Sequence, residues 1–217
     1  GEIINYLHDS TIHIFSGFHA YPKTYQSMKQ VAKLETCLGV FAEPGRPDGI
    51  KGRLRKLRYM MLATRWSKRI DFLLATGKLG VNWYTQSGFP GNKVFPFAYF
   101  VENDQGVSDE PKISDDNIFR FVYVGRLIHL KGLDLLFRAL SRVDVQNWEL
   151  TIIGNGAERS KLEEMSNILG ISRNLYWQGV LPNREVRRKI ANSDCLVLPS
   201  RYDGWGAVVN EALSVGT

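Results

Sequence analysis

Two cations, Arg126 and Lys131, follow a predicted strand in the second half of the chain and precede a predicted helix. Arginine can hold a phosphate through its planar fork, whereas lysine supplies a mobile point charge. A lysine at a helix N-terminus opposes the helix dipole, so a bound anion would explain its position there. The pair therefore favours a diphosphate site, and the alternative is a pair of ordinary surface cations on a loop.

Two acids, Asp203 and Glu211, lie on either side of a glycine-rich turn that opens the last predicted helix. Gly204 and Gly206 would leave that helix N-terminus open to an anion. A carboxylate can accept hydrogen bonds from the neighbouring hydroxyls of a sugar or a ribose. Apolar neighbours predict that the helix is buried, and a buried Glu211 would need a polar partner. The alternative is that Glu211 is a solvated helix residue.

A third loop, Gly154-Asn155-Gly156, also follows a predicted strand. Two glycines allow a tight turn that brings backbone N–H groups close to a ligand. The full dinucleotide fingerprint is absent because Arg159 occupies its last position, so an ordinary tight turn explains the loop equally well.

These loops need an architecture that brings them together, and the rest of the chain predicts one. Short apolar runs alternate with helical stretches, which is typical of parallel βαβ units with ligands at the carboxyl ends of the strands. Asn183 is expected to cap a helix. The predicted strands are 11–15, 38–42, 70–75, 93–97, 119–124, 148–153, 175–178 and 194–198, with 93–97 at a sheet edge because of Pro96. The predicted helices are 24–36, 51–69, 78–87, 133–143, 157–169, 183–191 and one that begins near Gly206.

The composition divides the chain into two halves. Residues 102–117 are acidic and poor in large apolar side chains, which predicts a linker between a first domain, 1–101, and a second, 118–217. Residues 1–100 carry 14 Lys and Arg against 6 Asp and Glu, a surplus of 8 positive charges. Because the net charge of the whole chain is +6, the remaining residues are slightly negative. Because the chain begins at Gly1 and stops at Thr217 within an apparent motif, we expect a fragment.

Most of the positive charge lies in a predicted amphipathic helix at 51–69. Its apolar positions 54, 57, 61 and 62 follow helical spacing. The helix is interpreted either as a packed helix with a solvated basic face or as a surface that meets anionic lipid headgroups or an acidic acceptor. Nucleic acid is the least favoured partner, since no nucleic-acid module accompanies the patch.

Cysteine usage argues against two further classes of protein. Cys37 and Cys195 cannot form a disulfide framework, and no Cys/His cluster has the spacing of a zinc site. Both cysteines are expected to pack as small reduced hydrophobes, as in a cytosolic protein. The sequence contains no window of 18 apolar residues without a charged residue, so no membrane-spanning helix is predicted.

Taken together, four motifs in this order resemble the donor domain of the family 4 retaining glycosyltransferases. The resemblance is carried by Val124-Gly125-Arg126 with Lys131-Gly132, Gly154-Asn155-Gly156, Gly179-Val180-Leu181, and Leu198-Pro199-Ser200 with Asp203 and Glu211-Ala212-Leu213. It covers residues 94–217 well and the first half more loosely. It implies the GT-B fold of two Rossmann-like domains, with an acceptor-side domain first and a donor domain second, and with the first domain incomplete.

The resemblance also implies roles for individual residues. Arg126 and Lys131, next to Gly125, would bind the donor diphosphate, and the amides of the loop Gly204-Trp205-Gly206 would support the phosphates or the sugar. Glu211 would hold the ribose hydroxyls and Asp203 would contact the donor sugar as a catalytic-site residue. The family has Glu at both acidic positions, so Asp203 is one methylene shorter. A histidine after an early strand is implied on the donor sugar, with His19 as the candidate and His13 as the alternative.

The activity implied is transfer of a sugar from a nucleotide diphosphate sugar, with retention and without a divalent metal or other cofactor. The expected acceptor is a polysaccharide or a lipid-linked glycan, and the expected location is the cytoplasm, in part at the inner face of the membrane through helix 51–69. Two alternatives remain: a non-catalytic nucleotide-sugar-binding subunit, and a GT-B sugar-nucleotide epimerase. The family's glycine-rich loop near the start of the first domain is absent from this sequence.

Overall fold

The computed structural model describes residues 11–18, 22–34, 36–101, 117–145 and 147–217. The chain divides into two compact units, one that ends at Tyr99 and one that begins at Phe100. Each unit holds a four-stranded parallel sheet flanked by helices, which confirms the predicted α/β class. The predicted linker 102–117 lies outside the described residues except for Asn117.

In the first unit the strand order follows the chain, β1-β2-β3-β4. Its strands are β1 (Ile12–Ser16), β2 (Cys37–Ala42), β3 (Phe72–Thr76) and β4 (Val94–Phe97). Its helices are α1 (Pro22–Val31), α2 (Gly49–Trp66) and α3 (Gly77–Thr85). The core forms around large side chains that are almost fully buried, among them Met28, Leu38, Trp66, Leu73 and Tyr84. Strand β4 lies at the sheet edge, as the position of Pro96 predicts.

Asp71 explains why β3 begins two residues later than predicted. Its carboxylate accepts a hydrogen bond of 2.7 Å from the backbone N–H of Leu38, and its own N–H donates to the Leu38 carbonyl at 2.8 Å. The two bonds fix the entry of β3 beside β2 before the regular ladder starts at Phe72. Ile70 is buried, but it precedes this junction and therefore stays outside the strand.

The second unit has the order β7-β6-β5-β8, with β5 and β6 at the centre. Its strands are β5 (Phe119–Val124), β6 (Trp148–Ile153), β7 (Leu175–Gly179) and β8 (Cys195–Leu196). Its helices are α4 (Leu133–Leu140), α5 (Arg159–Ile168), α6 (Asn183–Ala191) and α7 (Ala207–Ser214). One face of the sheet packs on α4 and α5 through Phe137 and Leu162, and the other packs on α6 and α7 through Ile190 and Ala212.

Several local predictions were wrong. Asn183 is the first residue of α6 rather than its cap, because Pro182 precedes the helix and holds the cap position. Strand β8 is two residues long instead of five, since it lies at the sheet edge and pairs with β5 through Phe121 and Val122.

Helix α2 forms where the amphipathic helix 51–69 was predicted, and the structure shows which of its sides packs on the core. It packs on the core through Leu62, Ala63 and Trp66, whereas the apolar side chains of Leu54 and Leu57 are exposed. The spacing of 54, 57 and 61 therefore marks an outward face rather than the packed one. Among the described residues, no helix combines the length and the apolar character needed to cross a membrane.

Candidate active site

A cavity of about 390 Å³ opens at the carboxyl edge of the second sheet. The loops after β5, β6 and β7 and the side of α7 enclose it, and Arg126 and Glu211 supply its charged groups. The other lining residues are Val124, Gly125, Ile153, Gly154, Asn155, Val180, Leu181, Asn183, Val186 and Val208. Residues from all four sequence motifs, among them Arg126, Asn155, Leu181 and Glu211, thus line one cavity at the edge where parallel sheets bind ligands.

The loop after β5 is anchored from inside the sheet. The hydroxyl of Tyr123 donates a hydrogen bond of 3.0 Å to the carbonyl oxygen of Arg126, which leaves the Arg126 side chain exposed. Burial raises the pKa of Tyr123 well above its usual range, and the negative charge of Asp203 adds to the effect while Arg126 opposes it. Tyr123 therefore stays protonated and remains a donor at neutral pH.

Backbone hydrogen bonds fasten the neighbouring loops to each other. The N–H of Leu127 donates to the carbonyl of Asn155 at 3.0 Å, and the N–H of Gly154 donates to the carbonyl of Gly179 at 2.6 Å. Gly154 has φ of +133°, and a Cβ there would lie 2.0 Å from the carbonyl oxygen of Gly125. Glycine is required at this position because the backbones of the two loops approach too closely for a side chain.

Lys131 and Asp203 form an ion pair beside this cavity, although neither lines it. The ammonium of Lys131 binds Oδ2 of Asp203, while Oδ1 accepts hydrogen bonds from the backbone N–H groups of Trp205 at 3.3 Å and Gly206 at 2.8 Å. Partial burial alone would raise the pKa of Asp203. The bond to Lys131, its charge and the two amides outweigh that effect and hold the pKa of Asp203 below its usual value.

These contacts change how the glycine-rich turn before α7 can bind an anion. Of the three amides expected to support phosphates, those of Trp205 and Gly206 donate to Asp203 in this structure. The ammonium of Lys131 is likewise paired with the carboxylate of Asp203. Among the described residues that line the cavity, Arg126 is therefore the cation without an ion pair, and the turn before α7 binds a carboxylate in this structure.

A second ion pair, missed in the sequence, holds the loops that carry Lys131 and Asp203. The guanidinium of Arg201 donates to both carboxylate oxygens of Asp134 at 2.6 Å and to the carbonyl of His129 at 2.7 Å. The bond with Arg201 lowers the pKa of Asp134 below its usual value. Asp134 lies in the first turn of α4, where an acid also suits the helix dipole. Its partner is 67 residues away, so no local pattern identifies the pair.

Helix α7 is less buried than its sequence predicts. Ala212 is buried, but Ala207 is exposed and Leu213 is 70% exposed. The helix has eight residues and buries a single face against the sheet and α6, so the apolar positions at both ends remain outside the core. Glu211 is half-buried at the cavity wall, where it can reach a ligand without the cost of full burial.

Of the two histidine candidates, the structure describes His13, which does not line the cavity at the second sheet. His19 lies outside the described residues. His13 is the second residue of β1, and its Nε2 lies 2.9 Å from the hydroxyl oxygen of Thr11, away from the carboxyl end of the strand. Within the described ranges, no three His, Cys, Asp or Glu side chains come together as a metal-binding group.

The first unit has a cavity of its own, of about 470 Å³, which the sequence did not reveal. It opens beyond the carboxyl ends of β1 and β2 and combines aromatic rings with two charged groups, Glu43 and Arg58. Tyr99 donates to the Glu43 carboxylate at 2.7 Å, and Tyr84 donates to the Glu43 carbonyl at 2.9 Å. Burial and the bond to Glu43 raise the pKa of Tyr99 to about 12. Aromatic faces beside a carboxylate are suited to a polyhydroxylated ligand.

Comparison with known proteins gives a family match and related structures. The family model described as "Glycosyl transferases group 1" matches residues 106–217, just over half of the chain. The chain is 34% identical over 130 residues to an uncharacterized glycosyltransferase of Methanocaldococcus jannaschii. The aligned region is 57% of this chain and 32% of that protein. It is 37% identical over 100 residues to the lipopolysaccharide 1,6-galactosyltransferase of Salmonella typhimurium. That aligned region is 44% of this chain and 28% of that protein.

A structural relative extends over both units of the chain. HepE from Anabaena, solved in complex with UDP, matches 94% of this chain and 58% of its own length with a TM-score of 0.77 and 15% identity. At that identity the likeness shows the fold alone, which is the GT-B arrangement predicted from the sequence. The chain spans about a third or less of the length of the Methanocaldococcus and Salmonella relatives and under half of the other curated relatives that it matches.

Proposed function

This chain belongs to the group 1 glycosyl transferases, and from that premise we propose that it carries the donor site of an enzyme that transfers a sugar from a nucleotide diphosphate sugar. The acceptor is a polysaccharide or lipid-linked glycan, and the transfer retains the anomeric configuration without a divalent metal. The Salmonella relative, a lipopolysaccharide galactosyltransferase, and the UDP-bound HepE support the donor and acceptor classes.

One observation carries the proposal: Arg126 and Glu211 face the same cavity at the carboxyl edge of the second sheet. A cation and a carboxylate in one apolar-walled cavity match the two polar ends of a nucleoside diphosphate. Arg126 binds the diphosphate and Glu211 accepts hydrogen bonds from the ribose hydroxyls. Val180 and Leu181 provide the apolar wall against which the base packs.

Lys131 and Asp203 serve the donor as a pair. In this structure Asp203 accepts bonds from Lys131, Trp205 and Gly206, which use three of the roughly four lone-pair sites of a carboxylate. The remaining site is directed to a hydroxyl of the donor sugar. Lys131 is shared between Asp203 and the leaving diphosphate, so that its charge becomes available when the phosphate arrives.

The acceptor binds in the cavity of the first unit. Tyr59, Tyr84 and Tyr99 give it aromatic surface, and Glu43 and Arg58 give it groups that hydrogen-bond to hydroxyls. This assignment depends on the cavity's position at the carboxyl edge of the first sheet and on its chemistry.

In the transfer, the bond between the anomeric carbon and the diphosphate oxygen breaks, and the acceptor oxygen bonds to the same face of the anomeric carbon. The acceptor proton passes to the departing diphosphate oxygen. Arg126 and Lys131 stabilise the negative charge that develops on the diphosphate. A product with inverted anomeric configuration, observed by proton NMR, contradicts this course.

The donor site is tested by thermal unfolding with UDP-, GDP- and ADP-sugars and their free diphosphates. A ligand present at 100 times its Kd adds about 2.7 kcal/mol to the free energy of unfolding. We expect one nucleotide to raise the Tm, and Arg126→Ala to abolish that rise.

The matched control is Arg142→Ala, which removes an exposed arginine outside the cavity. The control should retain the full rise in Tm. If no nucleotide stabilises the protein, or if both variants lose the effect equally, Arg126 does not bind the donor in this cavity.

A further inference from the structure

Helix α2 exposes a continuous apolar stripe to solvent. Ile50, Leu54, Leu57 and Met61 are 77%, 61%, 56% and 65% exposed, respectively. Their spacing of four, three and four residues places them on one line along the helix. These four residues are called the outer stripe below. Large apolar side chains grouped in this way mark an interaction surface rather than ordinary scattered exposure.

Cations border the outer stripe on both sides. Lys51, Arg58 and Arg65 are spaced by seven residues, which places them along one side of the stripe, and Arg53 lies on the other side. All four residues are exposed. The helix contains no Asp or Glu, so its outward half is apolar along the centre and positive at the margins.

The other two cations of α2 belong to the fold instead. Arg55 donates to the carbonyl of Arg46 at 2.5 Å, and Lys56 donates to the carbonyl of Trp83 at 3.2 Å while its ammonium lies over the Trp83 ring. Burial lowers the pKa of Lys56. Arg58 also lines the cavity of the first unit. The surface available to a partner is therefore the outer stripe with Lys51, Arg53 and Arg65.

We propose that α2 lies in the plane of an anionic bilayer surface and docks the first unit to it. The outer stripe enters the boundary between headgroups and acyl chains, and the bordering cations meet anionic headgroups. Charge complementarity selects this occupant: a lipid surface offers apolar depth and negative charge together along the whole length of a helix. Docking is independent of the donor site, so it can be tested without turnover.

The test is flotation of the whole chain with vesicles of phosphatidylcholine, with and without phosphatidylglycerol. We expect binding to the anionic vesicles that weakens as NaCl is raised, because salt screens the headgroup charges. The variant Lys51→Gln/Arg53→Gln/Arg65→Gln should weaken binding about 100-fold, since each cation near an anionic surface contributes about fivefold, or about 1 kcal/mol.

The apolar contribution is tested by Leu54→Ser/Leu57→Ser/Met61→Ser, which should lower binding at least tenfold even at low salt. Its control, Leu79→Ser/Leu135→Ser/Ile168→Ser, removes three exposed apolar side chains elsewhere and should bind as the unaltered chain does. Both triple variants should keep the Tm, because the altered side chains are outside the core.

Three results would overturn the proposal. The first is no binding to either vesicle, which would mean that another occupant covers the stripe. The second is equal binding to neutral and anionic vesicles, and the third is full binding by the Leu54/Leu57/Met61 variant.

Discussion

Replacement of Gly132 by alanine should separate the two loops that hold Lys131 and Asp203. Gly132 follows Lys131 directly and has φ of 70°, in the left-handed region. A Cβ at this position would lie 2.1 Å from the carbonyl oxygen of Pro199 and 2.9 Å from its carbonyl carbon. Pro199 begins the loop that leads to Asp203, so the added methyl group pushes the partners of the ion pair apart.

Two effects set the magnitude. Left-handed backbone costs a residue with a Cβ about 1–2 kcal/mol. A Cβ essentially never lies within 3.0 Å of another heavy atom, so the Pro199 carbonyl must move by roughly 0.9 Å, and overpacking of this kind costs about 1–3 kcal/mol. Together they lower the free energy of unfolding of the second unit by about 2–5 kcal/mol.

Urea unfolding followed by far-UV circular dichroism measures this loss, and Gly170→Ala is the matched control. Gly170 has nearly the same φ, 71°, but nothing lies within 4 Å of its Cβ position. It should therefore lose about 1–2 kcal/mol, the backbone contribution alone. If the two variants were equally destabilised, the close packing of Gly132 against Pro199 would be refuted, and with it the account of how the ion pair is held.

Two further predictions concern pH. The pKa of Asp203 is lowered by Lys131 and the turn amides despite burial, so its stabilisation is complete above the unfolded value near 3.8 and is lost as the pH falls through the folded pKa. Asp203→Asn should flatten the acid limb of a urea-midpoint profile, and an unchanged limb would contradict the pairing. The pKa of Tyr99 is raised from 10.0 to about 12, so its stabilisation is complete below pH 10 and is lost as the pH rises toward 12. In an absorbance titration, the Tyr99→Phe variant should lose the phenol ionisation near pH 12. The Glu43→Gln variant should show the ionisation of Tyr99 at a lower pH.

The order of strands and helices could be predicted because each element carries its own periodicity. Strands β2, β5 and β6 are largely apolar runs, and their predicted bounds lie within one residue of those observed. Prediction was poorer where a distant partner decides the outcome. The start of β3 depends on hydrogen bonds between Asp71 and Leu38, 33 residues apart.

The face of α2 that packs on the core shows the same limit. Helical spacing groups Leu54, Leu57 and Met61 correctly, but spacing alone does not indicate which side meets the core. Trp66 decides it, because burial of that large side chain together with Leu62 and Ala63 turns the other apolar positions outward.

The candidate site divides in a similar way. Arg126 and Glu211 could be selected from the sequence because each follows a strand or a turn with a recognisable local pattern, and the parallel sheet brings their loops to one edge. The bond between Arg201 and Asp134 could not be selected, since neither residue has a local signal for the other. The cavity of the first unit also escaped prediction, because Glu43, Tyr84 and Tyr99 come from separate segments.

The sequence by itself therefore determined the α/β class, the succession of elements and the identity of the charged groups at the strand ends. Those properties follow from hydrophobic periodicity and residue chemistry, which act over a few neighbouring positions. Tertiary structure alone decided the partners of those charged groups: Lys131 is bound to Asp203, whereas Arg126 is left exposed at the cavity. Such pairing depends on distances of a few ångströms between loops far apart in the chain, and these distances exist only after the sheet has brought the loops together.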